Sequence, residues 1–454
     1  MKRRGKKNIY LDHAAATPLE LEVFKAMRPF FGIEFANPSG LYAAAVRARD
    51  AVESARKKVA DALFTQPEAI IFTSGGTESI NIAILGVARM CELRTVSANL
   101  STSSRQVIQT ANKPHIISTA IEHHAVLDAI KHLGNDSFAV TYLPVNREGL
   151  ISIDDFKKAL RRETVLVSIM YANNEIGSIQ PIAEVGREIL KWRKQQKSKI
   201  INQKSKINWP YLHTDACQAA GYLDLNVEKL HVDLLSANGS KIYGPRGSGV
   251  LYKRRGVELE PLMYGGGQEW GLRSGTENVP GIVGFAKALE LVRKDRAKEG
   301  KRLEKLRDYF WTELQKRVQG MNINGPRLSN QKSVIRNQKS TSDCRLLITD
   351  FCRLPNNLNA IFDNADAEAM IIYLDAAGIQ CSSGSACTEA TDETSHVLLA
   401  CGLSEDAARS SLRFTLGKGT TKKDIDYVLK VLPGVVEKCR MMTRMGKEST
   451  VEVT

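Results

Sequence analysis

Short apolar runs alternate with amphipathic helical stretches along most of this 454-residue chain, and that alternation restricts it to a mainly parallel α/β sheet. Strands are expected at residues 69–73, 115–118, 139–143, 165–170, 211–214, 232–236 and 249–252. Helices are expected at 77–90 and 125–133, and from Pro181 toward Trp192, where the proline suits a first helical turn. After about Gly281 the pattern changes to charged helices at 282–296 and 301–318. A smaller α+β domain should follow, with a strand at 358–362, a helix at 367–377 and a closing helix from Lys422. The expected division is a large domain over 17–285 and a small one made of 1–16 with 286–454, the N-terminal segment packing back on it.

The net charge of +14 looks like a nucleic-acid signal until its distribution is read. Residues 2–7, 191–206 and 327–345 carry +5, +7 and +4, together +16, which leaves −2 for the rest. A basic RNA-binding protein would need a positive folded body, so direct nucleic-acid binding is not expected. The word Asn-Gln-Lys-Ser recurs at 202–205, 330–333 and 337–340, and such polar text builds no core. Segments 97–112, 194–208 and 328–343 are therefore expected to be low-complexity surface insertions. No apolar run approaches the roughly 18 residues of a membrane span. The basic start lacks the apolar stretch of a secretory signal, so a cytoplasmic location is expected. Eight cysteines without a Cys-x-x-Cys pair suggest neither a disulfide framework nor a metal site.

In open parallel sheets, ligands sit outside the carboxyl ends of the strands, and the polar motifs fall there. Ser74-Gly75-Gly76-Thr77 follows the first strand. Its glycines and the helix N-terminus behind them could cradle a phosphate, although glycines at such a turn also serve structure alone. Asp215 ends a strand and Lys241 follows the next one. That is the pair pyridoxal phosphate requires, a lysine for a Schiff base and a carboxylate to keep the pyridine nitrogen protonated. The alternative is a capping aspartate and a surface lysine. His123 could stack on a cofactor ring and carry protons, or simply pack. Cys387, in a Ser/Gly-rich loop, is either a thiol that collects and delivers a group or an inert one. Arg413, amid apolar neighbours, needs either a substrate carboxylate or a structural ion pair.

Together these stretches resemble the cysteine desulfurases of the NifS/IscS group, pyridoxal-phosphate enzymes of the class V aminotransferase family. The matching text is YLDHAAATP from Tyr10, NPSG from Asn37, FTSGGTES from Phe72, EHHAVLD from Glu122 and NNEIG from Asn173. It continues with HTDACQ from His213, SKIYGPRG from Ser240, GGGQEWGLRSGT from Gly265, SSGSACT from Ser382 and SLRFTLG from Ser411. The resemblance implies the fold-type I architecture of pyridoxal-phosphate transferases, a large domain with a mainly parallel sheet plus a smaller α+β domain. It also implies removal of sulfur from L-cysteine, giving L-alanine and an enzyme-bound persulfide. Lys241 would hold the cofactor, Asp215 its ring nitrogen, and Asn174 and Gln218 its ring oxygen, with His123 stacked on the ring. Gly76, Thr77, Asn238 and Ser240 would surround the phosphate, joined by Thr276 from the second subunit of a homodimer. Asn37 and Arg413 would grip the substrate carboxylate, and Cys387 would accept the sulfur for an iron–sulfur scaffold protein or a tRNA-thiolation acceptor.

Two positions depart from the family pattern. Ser240 stands where a histidine usually precedes the lysine, and Tyr42 stands where a histidine often follows the NPS motif. A selenocysteine lyase or a class V aminotransferase would share Lys241 and Asp215, but a plain aminotransferase has no need of Cys387.

Overall fold

The computed structural model describes residues 8–100, 113–198, 209–328, 353–384 and 394–451. Its strands, in chain order, are β1 (Ile9–Tyr10), β2 (Ile70–Thr73), β3 (His115–Thr119), β4 (Ala139–Leu143), β5 (Thr164–Ser168) and β6 (Tyr211–Asp215). They continue with β7 (Leu234–Asn238), β8 (Gly249–Lys253), β9 (Met321–Ile323), β10 (Asn357–Phe362), β11 (Ile379–Gln380) and β12 (Ser411–Thr415). Seven of them form one sheet in the order β2-β8-β7-β6-β5-β3-β4. Only β8 runs against its neighbours, so six carboxyl ends point the same way.

Both faces of this sheet are covered, which is why its strands read as continuous apolar runs rather than alternating ones. Ile71, Ile116, Leu166, Leu234 and Leu251 pack against Ile80, Val87, Val126 and Ile130 of helices Gly76–Leu100 and His124–Asp136. Their neighbours Phe72, Ile117, Val167, Leu235 and Val250 face the other way. There they join the larger core with Val52, Val59, Val185, Ile189 and Phe285 from helices Ala43–Leu63, Ile182–Ser198 and Val279–Gln315. The two-residue period of a strand thus assigns each neighbour to a different helical layer.

A three-stranded antiparallel sheet, β12-β10-β9, lies beyond. The N-terminal β1 pairs in parallel with β11, and Asp12 bridges Thr415 of β12. These contacts bring the first residues to the segment that follows β11.

Several elements run longer than the sequence pattern implied. The two charged helices expected at 282–296 and 301–318 are one helix, Val279–Gln315, which passes unbroken through residue 285. Gly300 in its interior costs about 1 kcal/mol relative to alanine, a cost outweighed by the buried Phe285, Leu289, Leu303, Phe310 and Trp311 on either side. Helix Gly76–Leu100 continues ten residues past Met90 into the segment expected to begin an insertion at 97. Helix Ile182–Ser198 likewise takes in 194–198. Polar composition does not end a helix, because Gln, Lys and Glu are good helix formers. Leu328 is fully buried in the core, so the third segment begins inside it. The remainder of the three segments, 101–112, 199–208 and 329–343, lies outside the described residues.

Candidate active site

Because their strands run in one direction, the segments after β2, β3, β5, β6 and β7 converge at one end of the sheet. There they enclose a cavity of about 270 Å³. Gly76, Thr77 and Ile80 reach it from the start of helix Gly76–Leu100, and His123 from the segment after β3. Met170 and Asn174 follow β5, while Asp215, Cys217 and Gln218 come from the end of β6. Asn238 and Lys241 come from the tight turn after β7. Arg413 of β12 and Ala14 and Ala15 of the N-terminal segment close the wall.

Lys241 sits largely out of water, its Nζ donating to the carbonyls of Ala14, at 2.8 Å, and Ala15. Burial pushes its amine below the ordinary lysine value, which favours the neutral, nucleophilic form. The buried Asp215 accepts from the Cys217 N–H through Oδ1 at 2.9 Å. Gln218 Nε2 donates to the same Ala14 carbonyl, at 2.8 Å. The strap Ala14-Ala15 thus holds two of the polar side chains that line the cavity.

His123 caps helix His124–Asp136. Its Nδ1 accepts from the Ala125 N–H at 3.1 Å, so in the neutral ring the proton is on Nε2. Burial lowers its pKa, with Lys241 and the neighbouring imidazoles adding to the effect against Asp215. A neutral imidazole with a defined tautomer is suited to hold or pass a proton at Nε2.

Arg413 is buried, and its charge has a partner: Nη2 donates to Asp12 Oδ1 at 2.7 Å and Nη1 to the Asn174 carbonyl at 3.1 Å. Its Nε is buried without a hydrogen-bond partner among the described residues. The structural ion pair that the sequence left open is thus present.

The donor set fits pyridoxal phosphate. Free N–H groups at the start of a 25-residue helix and the Asn238 amide suit a phosphate, a carboxylate and an amine sit in the same cavity, and Ala15, Ile80 and Met170 supply an apolar wall. The backbone packs closely here, for a Cβ on Gly76 would stand 2.7 Å from Cys217 Sγ. Ser240 is half-buried beside the cavity, and its Oγ donates to Asn238 Oδ1 at 3.0 Å. Among the described residues no cluster of three His, Cys, Asp or Glu side chains is arranged to hold a metal ion.

Besides Ser240, three positions singled out in the sequence are not in the cavity wall. Asn37 is exposed, with its Oδ1 accepting from the Ser39 N–H, and Thr276 is exposed on a separate segment. Tyr42 caps helix Ala43–Leu63 with its ring laid toward Gly40, whose Cβ would meet it at 2.8 Å. Cys387 lies outside the described residues. Conversely, sequence reasoning missed Asp12, Ala14, Ala15, Ile80, Met170 and Cys217. The one local signal was Asp12-His13 placed ahead of three alanines, an acid with no evident purpose in an otherwise apolar run.

Comparison with known proteins agrees in fold and family. The model of the class V aminotransferase family matches residues 9–347. A cysteine desulfurase IscS of Dictyoglomus turgidum is 44% identical over 443 residues, covering 98% of each chain. The cysteine desulfurase IscS of Methanosarcina thermophila is 41% identical over 96% of this chain and 94% of its own. Among solved structures, a NifS-like protein superposes with a TM-score of 0.77 at 33% identity, covering 95% of this chain and 99% of that one. The structure of SspA in complex with cysteine superposes with a TM-score of 0.69 at 32% identity, over 90% and 98% of the two chains.

Proposed function

The chain belongs to the class V aminotransferase family, among its cysteine desulfurases, and on that premise we propose that it takes sulfur from L-cysteine, releasing L-alanine and leaving a persulfide on Cys387. The family depends on pyridoxal phosphate, which when bound withdraws electrons from the substrate Cα, a task no side chain here performs.

The residues divide the remaining work. Gly76, Thr77, Asn238 and Ser240 would surround the phosphate. Asp215 would hold the ring nitrogen, Asn174 and Gln218 the ring oxygen, and His123 would stack on the ring. Lys241 would hold the cofactor through its amine, and its freed Nζ would serve as the base for the substrate Cα proton. Arg413 binds the substrate carboxylate, with Asn37 assigned to the same group by resemblance. The Cys387 thiolate then attacks the substrate sulfur. An S–S bond forms as the Cβ–S bond breaks, and its electron pair stays on the carbon side, where protonation completes alanine. His123 Nε2 is the proton carrier for the thiols.

What supports this reading most is the convergence of Lys241, Asp215 and Arg413 on the wall of one cavity. The thiols also sort themselves. Burial pushes Cys217 well above the ordinary value, Cys91 up to about 11 and Cys401 up to about 12, so each is held as an unreactive thiol.

A homodimer, with Thr276 reaching the partner's phosphate, is favoured by exposed apolar side chains at Phe31, Ile33, Phe35, Leu41 and Tyr264. We assign residues 17–285 to a cofactor-binding domain and the remainder to a smaller one. The sulfur acceptor would be an iron–sulfur scaffold or tRNA-thiolation protein in the cytoplasm. No described helix is long and apolar enough to cross a membrane.

The test supplies L-cysteine and pyridoxal phosphate to purified protein and measures alanine and reducible sulfur together. Both should appear in equal amounts and vanish in Lys241→Ala. A wild-type protein that yields neither overturns the reading.

A further inference from the structure

Residues 385–393, which include Cys387, are bracketed by two described stems, Gly384 and Ser395. Both stems lie beside the same side chain, and the second is hydrogen-bonded to it. A Cβ on Gly384 would stand 3.2 Å from Glu175 Oε2 and 3.8 Å from Ser395 Cβ, and Ser395 Oγ donates to that Oε2. Glu175 is itself buried and held rigid. Its N–H donates to Asn173 Oδ1 at 2.8 Å, and its carbonyl accepts from Asn357 Nδ2 at 3.0 Å and Asn359 Nδ2 at 3.2 Å, both on β10.

The other anchors of the stems also rest on the cavity wall. Ser382 and Arg413 exchange backbone hydrogen bonds, at 2.7 and 3.3 Å. His396 Nε2 lies 2.9 Å from the Glu122 carbonyl, one residue before His123. Glu175 in turn follows Asn174. Each attachment is therefore made to a residue of the cavity or to its immediate neighbour.

We propose that Glu175 is a positioning residue that ties the Ser395 stem of the Cys387 segment to the cofactor cavity, so that transfer of sulfur to Cys387 depends on it while binding of cofactor and cysteine does not. This inference rests on the desulfurase reading above. Displacing a nucleophile by an ångström costs rate without changing what binds, so the two processes separate in experiment.

Ser395 offers the cleaner handle. Its hydroxyl donates to Glu175 and also accepts from the Leu398 N–H at 3.1 Å as the cap of helix His396–Ala400. Ser395→Asp keeps a good helix cap but cannot donate, and sets one carboxyl against another. Ser395→Thr keeps both functions. In the double variant Glu175→Gln, Ser395→Asp, the amide can donate to the new carboxylate and remake the tie with reversed roles.

The measurement uses holoenzyme and sulfur-labelled cysteine in a single turnover. It follows the cysteine-induced change in cofactor absorption beside label retained on protein. Ser395→Asp should slow labelling by about tenfold or more, with the absorption change intact, while Ser395→Thr and the double variant stay near wild type. Wild-type labelling in Ser395→Asp overturns the proposal. So does a loss of the absorption change in step with labelling, or a double variant no better than Ser395→Asp, since either would mean that a general disturbance is at work. A wild-type protein that never acquires label sinks the desulfurase reading itself, and this inference falls with it.

Discussion

Asp12 and Arg413, 401 positions apart in sequence, form a 2.7 Å ion pair whose arginine lines the cavity. The pair neutralises a guanidinium that would otherwise be buried without a counter-charge. If Arg413 binds the substrate carboxylate, as we propose, Asp12 competes with the substrate for it.

Asp12→Asn should therefore separate stability from binding. Losing the charge while keeping a hydrogen-bond acceptor should cost about 1–3 kcal/mol of folding stability, read from denaturant midpoints. The same change should lower KM for cysteine several-fold, because the substrate no longer meets a like charge. A raised KM would mean that Asp12 orients Arg413 rather than competing for it.

That pair marks the limit of what local pattern reveals. Most strands of the large sheet are legible because they are buried apolar runs, and the motifs at their ends necessarily converge once the strands are parallel. Asp215, Lys241 and His123 could be located this way. The Ala14-Ala15 strap and Asp12 could not, since they reach the cavity through β1 pairing with β11, a contact set by tertiary packing. Cys217 and Met170 read as ordinary core residues, and they do pack, with the cavity as one of their neighbours. Helix ends depart from the sequence pattern for a different reason: polar helix formers carry a helix past its apolar stripe, as at 194–198.

Glu122 predicts a pH dependence of stability. Burial pushes its carboxyl up to about 8, against hydrogen bonds from Thr119 Oγ1 at 2.6 Å and the Met170 N–H at 2.9 and 3.0 Å that favour the ionised form. The folded protein then keeps a proton that the unfolded chain releases near the ordinary value of 4.5, so this residue's contribution is full below that pH and declines toward 8. Glu122→Gln, a neutral mimic, should gain stability relative to wild type as pH rises across that window. Denaturant midpoints at pH 5 and pH 8 check it, and an equal difference at both contradicts the shift.

Ser240 should limit cofactor retention. Its hydroxyl proton is committed to Asn238 Oδ1, so it brings little to a phosphate, whereas an imidazolium would bring charge. A charge-assisted contact of roughly 1.5–3 kcal/mol corresponds to about one to two decades of affinity. Ser240→His should slow loss of pyridoxal phosphate on dialysis by that order and leave the reaction type unchanged. Equal retention would show a phosphate pocket already satisfied without this position.

Shortening 199–208 and 329–343, with a flexible linker kept in each, should leave soluble protein with wild-type cysteine turnover. The cuts respect helix Ile182–Ser198 and the buried Leu328, and loop shortening changes closure entropy by well under 1 kcal/mol. Size-exclusion chromatography and alanine release measure the outcome. Loss of soluble protein would mean that these polar segments pack.

On the desulfurase reading, one thiol, Cys387, receives the sulfur of free cysteine. Single-turnover reaction of holoenzyme with sulfur-labelled cysteine, alkylation and mass mapping of every cysteine peptide tests it directly. Label is expected on the Cys387 peptide, none on Cys217 or Cys381, and no stable label in Cys387→Ala, although that variant should still bind cofactor and substrate. Label on Cys217 in the wild type would contradict it, because that buried thiol would then be the nucleophile and Cys387 a bystander.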